Sequence, residues 1–213
     1  MSFVPYAKTP PFVPGLRVGL FGGSFNPPHE GHRAASLLAL RRLRLDRVWW
    51  LVSPTNPLKD RCELARLAER LEAARKIGQY PRIEITALEA AIGATYTHQT
   101  ISYLKRRCHG VHFVWLMGAD NFRHFDRWRC WRDIARLVPI AIIDRPGSTL
   151  TAPHGRAAET LAPFRLDETD GGLLATAAPP AFVFLHGPRS PMSSTALREQ
   201  PCPTGTEGGN QTS

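Results

Sequence analysis

Lysine, methionine, cysteine and acidic residues are all scarce in this 213-residue chain, and no apolar run is long. The four cysteines, at positions 62, 108, 130 and 202, include no C-x-x-C pair. That excludes a zinc ribbon or a thioredoxin-type motif and reads as free thiols of a reducing compartment. No stretch approaches the ~18 apolar residues a membrane helix requires. The N-terminal stretch is broken by Pro5, Pro10, Pro11, Pro14 and Arg17, which makes a poor signal peptide, so the expected compartment is the cytoplasm. No Gly-Lys-Ser/Thr follows a glycine loop, and no G-x-G-x-x-G is present, so neither a Walker A loop nor the dinucleotide fingerprint is available. What is abundant is arginine. The chain has 27 basic and 18 acidic residues, a formal charge of +9, and only Lys8, Lys59, Lys76 and Lys105 among the cations are lysines. Such a surplus attracts anions: nucleic acid, nucleotides or acidic metabolites. The arginines are scattered, with short clusters at Arg41–Arg44 and Arg127–Arg132, so basic helix faces and a nucleic-acid patch stay open as readings.

The apolar pattern alternates between short continuous runs and longer helical periodicity. Strands are predicted at Arg17–Phe21, Val48–Val52, Arg82–Thr86, Val111–Met117, Pro139–Ile143 and Ala181–Leu185. Helices are predicted at about 31–45, 62–77, 97–107, 119–125 and 131–137. Buried strands alternating with helices predict an α/β chain built as a Rossmann-like, doubly wound parallel sheet, with its ligand beyond the C-terminal strand edge. The Pro-rich residues 1–16 read as a flexible arm, 17–199 as one domain, and the polar residues 200–213 as a disordered tail. Residues 146–180 read as irregular, and Trp49 and Trp50 as core.

Two segments carry chemistry. After the first strand comes Gly22-Gly23-Ser24-Phe25-Asn26-Pro27-Pro28-His29-Glu30-Gly31-His32. The glycines remove side chains where the backbone turns or meets a ligand. His29 and His32 share one side of the next helix's first turn, where free N–H groups attract phosphate. Near the other end, Ser193 or Ser194 caps a helix start on which Thr195 and Arg198 share a face. Hydroxyls, N–H groups and a guanidinium there make a polyphosphate cradle.

Together, His29-Glu-Gly-His32 and Met192-Ser-Ser-Thr-Ala-Leu-Arg198 resemble the HxGH and SSTxxR motifs of a nucleotidyltransferase superfamily. Within it the chain is most similar to the bacterial nicotinate-nucleotide adenylyltransferases. Leu116-Met-Gly-Ala-Asp-Asn-Phe122 with Phe125 and Trp128, Tyr96-Thr97 with Thr100 and Leu104, and Asp144-Arg-Pro-Gly147 carry that narrower resemblance. It spans residues 17–198. Leu58 stands before Lys59 where that family usually has a histidine.

The resemblance implies transfer of the adenylyl group of ATP to nicotinate mononucleotide, with Mg²⁺ carried by the ATP. It implies His29, His32 and Arg198 as catalytic residues, and Ser194 and Thr195 beside them on the ATP phosphates. Gly22 and Ser24 would line the same loop. Gly118 and Asp120 would meet the adenosine, Thr97 and Trp128 the nicotinate ring, and Lys59 the mononucleotide phosphate. No protein metal site is expected.

The residue inventory agrees with that chemistry. The attacking phosphate is already anionic, so positioning and cationic stabilisation carry such a transfer, with no protein nucleophile needed. Another adenylyl- or cytidylyltransferase of the same superfamily, and a basic nucleic-acid-binding module, are the competing readings.

Overall fold

The computed structural model describes residues 7–54, 67–144 and 155–187. Six strands, β1 (Arg17–Gly23), β2 (Arg47–Val52), β3 (Ile83–Thr86), β4 (His112–Gly118), β5 (Ile140–Ile143) and β6 (Phe182–Leu185), form one sheet in the order β3-β2-β1-β4-β5-β6. Every pairing is parallel. The helices are α1 (Glu30–Arg42), α2 (Leu67–Ile77), α3 (Leu88–Ala91), α4 (Thr97–Arg107), α5 (Ala119–Phe122), α6 (Trp131–Leu137) and α7 (Arg156–Leu161). The expected doubly wound α/β fold is therefore present, and the strand order reverses between β1 and β4. In open parallel sheets a ligand enters at that point, because the crossovers on either side leave to opposite faces and part there.

Side chains along each strand alternate between two cores. Val18, Leu20, Trp49, Leu51, Phe113, Trp115, Met117, Ile140 and Ile142 pack with Ile101 and Leu104 of α4, Trp131 and Ile134 of α6, and Leu161 of α7. Phe21, Val48, Trp50, Val52, Val114, Leu116, Ala141 and Ile143 pack on the other face with Leu38 and Ala39 of α1 and Leu71 and Ala74 of α2. Both faces are covered, which is why the strands read as unbroken apolar runs. Trp49 and Trp50 are fully buried, as expected, and the Trp50 indole donates to Ser36 Oγ at 2.8 Å. The start of β1 is tied to the start of β2 by Asp46, whose carboxylate accepts from the Arg17 backbone N–H at 2.8 Å and from its guanidinium at 3.3 Å.

The irregular stretch read at 146–180 has more order than expected where it is described. It holds α7 and 3-10 turns at Ala162–Phe164 and Glu168–Thr176, too short and too rich in Ala and Gly to show a helical period. Residues 7–16, expected to be loose, run against the domain. Thr86 Oγ1 donates to the Lys8 carbonyl at 3.0 Å, Gly15 N–H donates to the Gly110 carbonyl at 2.7 Å, and Phe12 and Leu16 pack on the core. Residues 62–66 of the second predicted helix lie outside the described residues. Among the described residues no helix is long and apolar enough to cross a membrane.

Candidate active site

β1 ends in Gly22-Gly23, and its loop runs under α1. Gly22 is required by packing. A Cβ there would lie 2.4 Å from the Trp115 ring of the neighbouring strand β4. The space beside Gly22 is filled by indole, while the residue itself still lines the cavity of the site. Ser24 follows and is buried. Phe25 then takes φ +46°, a left-handed conformation costly for a bulky residue. Burial holds it there: its ring stacks on Trp50 at 4.9 Å and contacts His32 at 4.8 Å.

This aromatic shelf supports the two histidines. His29 is the N-cap of α1 and is 2 % exposed; His32, in the first turn, is 8 % exposed. Their ring centroids are 3.8 Å apart. The His29 backbone N–H donates to His32 Nδ1 at 3.2 Å. A neutral His32 ring therefore carries its proton on Nε2, the tautomer that donates a hydrogen bond with that nitrogen. The pairing expected from the i, i+3 spacing is present, at the N-terminus of a 13-residue helix whose dipole favours anions.

A cavity of about 290 Å³ opens at the C-terminal strand edge between β1 and β4. Gly22, Gly23 and Ser24 line it from β1, Ser53 from β2, Glu89 from α3, Thr95–Thr97 from the start of α4, and Trp115, Asn121 and Arg127–Arg129 from the β4 side. Of the residues expected at the site, it brings together Gly22, Ser24, Thr97 and Trp128. The half-buried Trp128 ring stands edge-on to Trp115 and Phe125, at 6.3 and 5.5 Å, which fixes its plane. His29 and His32 sit in the adjacent loop and do not line this cavity. Gly118 ends β4 and Asp120 is exposed in α5; neither lines the cavity, although their neighbour Asn121 does. Lys59, Ser194, Thr195 and Arg198 lie outside the described residues, as does most of the Asp144–Gly147 turn.

Two buried polar residues were not foreseen. Arg70, on α2, is 2 % exposed and donates to three backbone carbonyls: Ser24 at 2.5 Å, Ser53 at 2.7 Å and Pro54 at 3.2 Å. It thereby ties the loop after β1 to the loop after β2. Burial lowers its pKa. Glu89 is 7 % exposed, and its carboxyl accepts from Ser53 Oγ at 2.5 Å and Thr100 Oγ1 at 2.9 Å. Burial pushes the pKa of Glu89 up, against the lowering effect of those two hydrogen bonds. In the sequence Arg70 looks like an ordinary polar position of an amphipathic helix, and Glu89 falls between predicted elements, in a helix of four residues too short to show a period. Only the crossing of α2 and α3 over the ends of the strands turns them inward.

A family model described as cytidylyltransferase-like matches residues 20–200. A Methylorubrum extorquens protein named "Probable nicotinate-nucleotide adenylyltransferase" is 57 % identical over 183 residues, covering 86 % of this chain and 99 % of its own length. This chain belongs to the nicotinate-nucleotide adenylyltransferases. A second family member of the same name, from Brucella suis, is 54 % identical over 184 residues, 86 % of this chain and 95 % of its own. Among solved structures, a Plasmodium falciparum nicotinic acid mononucleotide adenylyltransferase complexed with NaAD superposes with a TM-score of 0.65. It covers 86 % of this chain and 83 % of that one at 16 % identity, a likeness of fold. As an adenylyltransferase of this family the chain is a transferase of NAD synthesis, which sets aside the nucleic-acid-binding module.

Proposed function

We propose that this chain joins ATP and nicotinate mononucleotide in the cytosol, giving nicotinate adenine dinucleotide and pyrophosphate. The observation that carries the reading is the cavity at the sheet's switch point. Gly22, Gly23 and Ser24 at the end of β1 line it together with Thr97 and Trp128, a lining that suits a flat ring beside a phosphate.

In this reading a phosphate oxygen of the mononucleotide attacks the α-phosphorus of ATP. The new P–O bond forms as the bond to the α–β bridging oxygen breaks, and the electron pair leaves with pyrophosphate. Negative charge builds on that bridge, so donors already in place contribute most. His32 offers its Nε2 proton, His29 a second imidazole, and the N-terminus of α1 its dipole. Arg198, Ser194 and Thr195 would complete the phosphate cradle, and Lys59 would meet the acceptor's phosphate. Gly118 and Asp120 would receive the adenosine beside β4.

A divalent ion such as Mg²⁺ would neutralise part of the triphosphate charge when bound. The described residues include no group of three or more His, Cys, Asp or Glu that could hold a metal, so the triphosphate itself would supply its ligands.

The test is pyrophosphate release with ATP, Mg²⁺ and a panel of phosphorylated acceptors. Nicotinate mononucleotide should give the highest kcat/KM, ahead of its amide. Preference for an unrelated acceptor would replace this reading with that of another nucleotidyltransferase.

A further inference from the structure

One acidic residue, Glu89, stands in the described lining of a cavity assigned to phosphorylated substrates. It is buried, and both of its carboxyl oxygens are engaged. Oε2 is bonded to the Ser53 hydroxyl at 2.5 Å and Oε1 to the Thr100 hydroxyl at 2.9 Å. The two hydroxyls differ in what lies beyond them. Ser53 lines the cavity, whereas Thr100 is fully buried and does not. The Ser53 backbone is fixed: its N–H donates to the Gly23 carbonyl at 2.9 Å, and its carbonyl accepts from Arg70 at 2.7 Å. What can still turn is the hydroxyl.

The charged and titratable groups on the elements that meet at Glu89 are Arg70 of α2, Tyr96 and His98 at the start of α4, Arg127 and Arg129 after β4, and Lys8 beside the β3–α3 junction. None of them is bonded to the carboxyl, whose partners are the two hydroxyls, so no cation pairs with its ionised form. A hydroxyl has one proton to give. While Glu89 is ionised, the carboxylate accepts from both Ser53 and Thr100, and Ser53 offers the cavity lone pairs alone, which repel phosphate. When Glu89 is protonated, its own O–H donates to Ser53 Oγ, and the Ser53 O–H is released toward the cavity. Burial, which raises the Glu89 pKa, works in the same direction.

We propose that Glu89 is a positioning residue for the mononucleotide: by taking a proton it turns the Ser53 hydroxyl away from its own carboxyl and onto a phosphate oxygen in the cavity. The inference rests on the reading that this cavity takes nicotinate mononucleotide. Ser53 is assigned the phosphate because it adjoins Gly23 of the glycine loop. The proton comes from solvent and is added to Glu89, while the Ser53 O–H bond stays intact and only rotates. Binding and protonation then favour each other, by the same factor in both directions.

The experiment uses the full-length wild type, Glu89→Gln and Ser53→Ala, with nicotinate mononucleotide as the probe. Calorimetry between about pH 5 and 8, in buffers of different ionisation enthalpy, reads the Kd and the protons taken up on binding. Protons exchanged by the phosphate or by the two histidines are common to the three proteins, so the differences isolate Glu89. Wild type should take up more protons than either variant, by up to about one per site. Glu89→Gln keeps an N–H donor for Ser53 at every pH, so it should match wild type within about twofold at the acid end and bind about tenfold more tightly at the alkaline end. Ser53→Ala should weaken binding about tenfold at the acid end and little at the alkaline end. Equal proton uptake by wild type and Glu89→Gln across the range would overturn the proposal. So would Ser53→Ala with the uptake of wild type, which marks an effect of charge alone, or with the same loss at every pH, which marks a merely structural role. A wild type that neither binds nor uses the mononucleotide would instead overturn the reading of the cavity.

Discussion

His32 is the side chain whose placement says most about the reaction. Its Nδ1 is engaged by the His29 backbone, which leaves Nε2 as the donor. A donor that gains strength as charge builds on the leaving bridge affects kcat more than KM. His32→Ala should therefore lower kcat by a factor of roughly 10² to 10³ while circular dichroism stays unchanged. His109→Ala, at an exposed position between α4 and β4, should be silent in the same assay. A His32→Ala enzyme with near wild-type kcat/KM would remove the two-histidine phosphate site. Glu89 gives a prediction of a different kind. Its folded pKa is raised by burial, so the unfolded chain gives up this proton first as pH rises. Stability linked to Glu89 is then complete below its ordinary pKa of 4.5 and declines from there up to the folded value. Glu89→Gln keeps a neutral group between Ser53 and Thr100 and has no proton to lose. Its melting temperature relative to wild type should rise as pH is raised from 4 to 8. Thermal unfolding across that range checks it, and a difference flat with pH would show that folding leaves the Glu89 pKa where it is in the unfolded chain.

At the scale of elements, Arg70 makes α2 a brace for the two loops that end β1 and β2. Arg70→Met keeps the length of the side chain and leaves the carbonyls of Ser24, Ser53 and Pro54 without that donor. Unsatisfied buried acceptors cost about 1–3 kcal/mol each, less where water reaches them, so a loss of roughly 2–4 kcal/mol in denaturant unfolding is expected. KM for both substrates should rise together, because both loops face the same cavity. A stable variant with unchanged KM would show that the loops hold themselves. The strands and long helices were legible because burial on both faces writes continuous apolar runs, and amphipathic helices write a period of three to four. The pairing of His29 and His32 after β1 was legible because an i, i+3 spacing puts both rings on one side of a helix's first turn. Arg70 and Glu89 were not, since their meaning depends on which strand ends lie beneath α2 and α3. The packing need at Gly22 was not legible, because nothing in the chain places Trp115 beside it. Register does that, by setting Phe21 opposite Leu116 across β1 and β4.

Taken as a whole molecule, the chain opens its cavity at one edge of the sheet, while the basic residues behind its charge of +9 are scattered along the sequence. A spread surplus of arginine suits an enzyme that must draw two polyanions into one crevice: it raises their encounter rate without specifying a sequence of bases. The arrangement also divides the chain by function. Among the described residues the two cores end at Leu185 of β6. The family match continues to residue 200 and takes in Ser194, Thr195 and Arg198. Folding and phosphate binding should therefore separate on truncation. A chain ended after Gln200 should keep its melting temperature and its turnover, because residues 201–213 lie beyond the matched region and offer no apolar period to bury. A chain ended after Gly187 should still give the circular dichroism of an α/β protein but lose kcat by a factor of 10² to 10³ or more, as expected when donors to a developing anion are removed. Arg198→Ala in the full chain guards against a truncated protein that simply fails to fold, and should reproduce most of the loss. Steady-state pyrophosphate release on the three proteins decides the matter. Full activity in Arg198→Ala, or in the chain ended after Gly187, would mean that the phosphates are held by the His29–His32 side of the crevice alone.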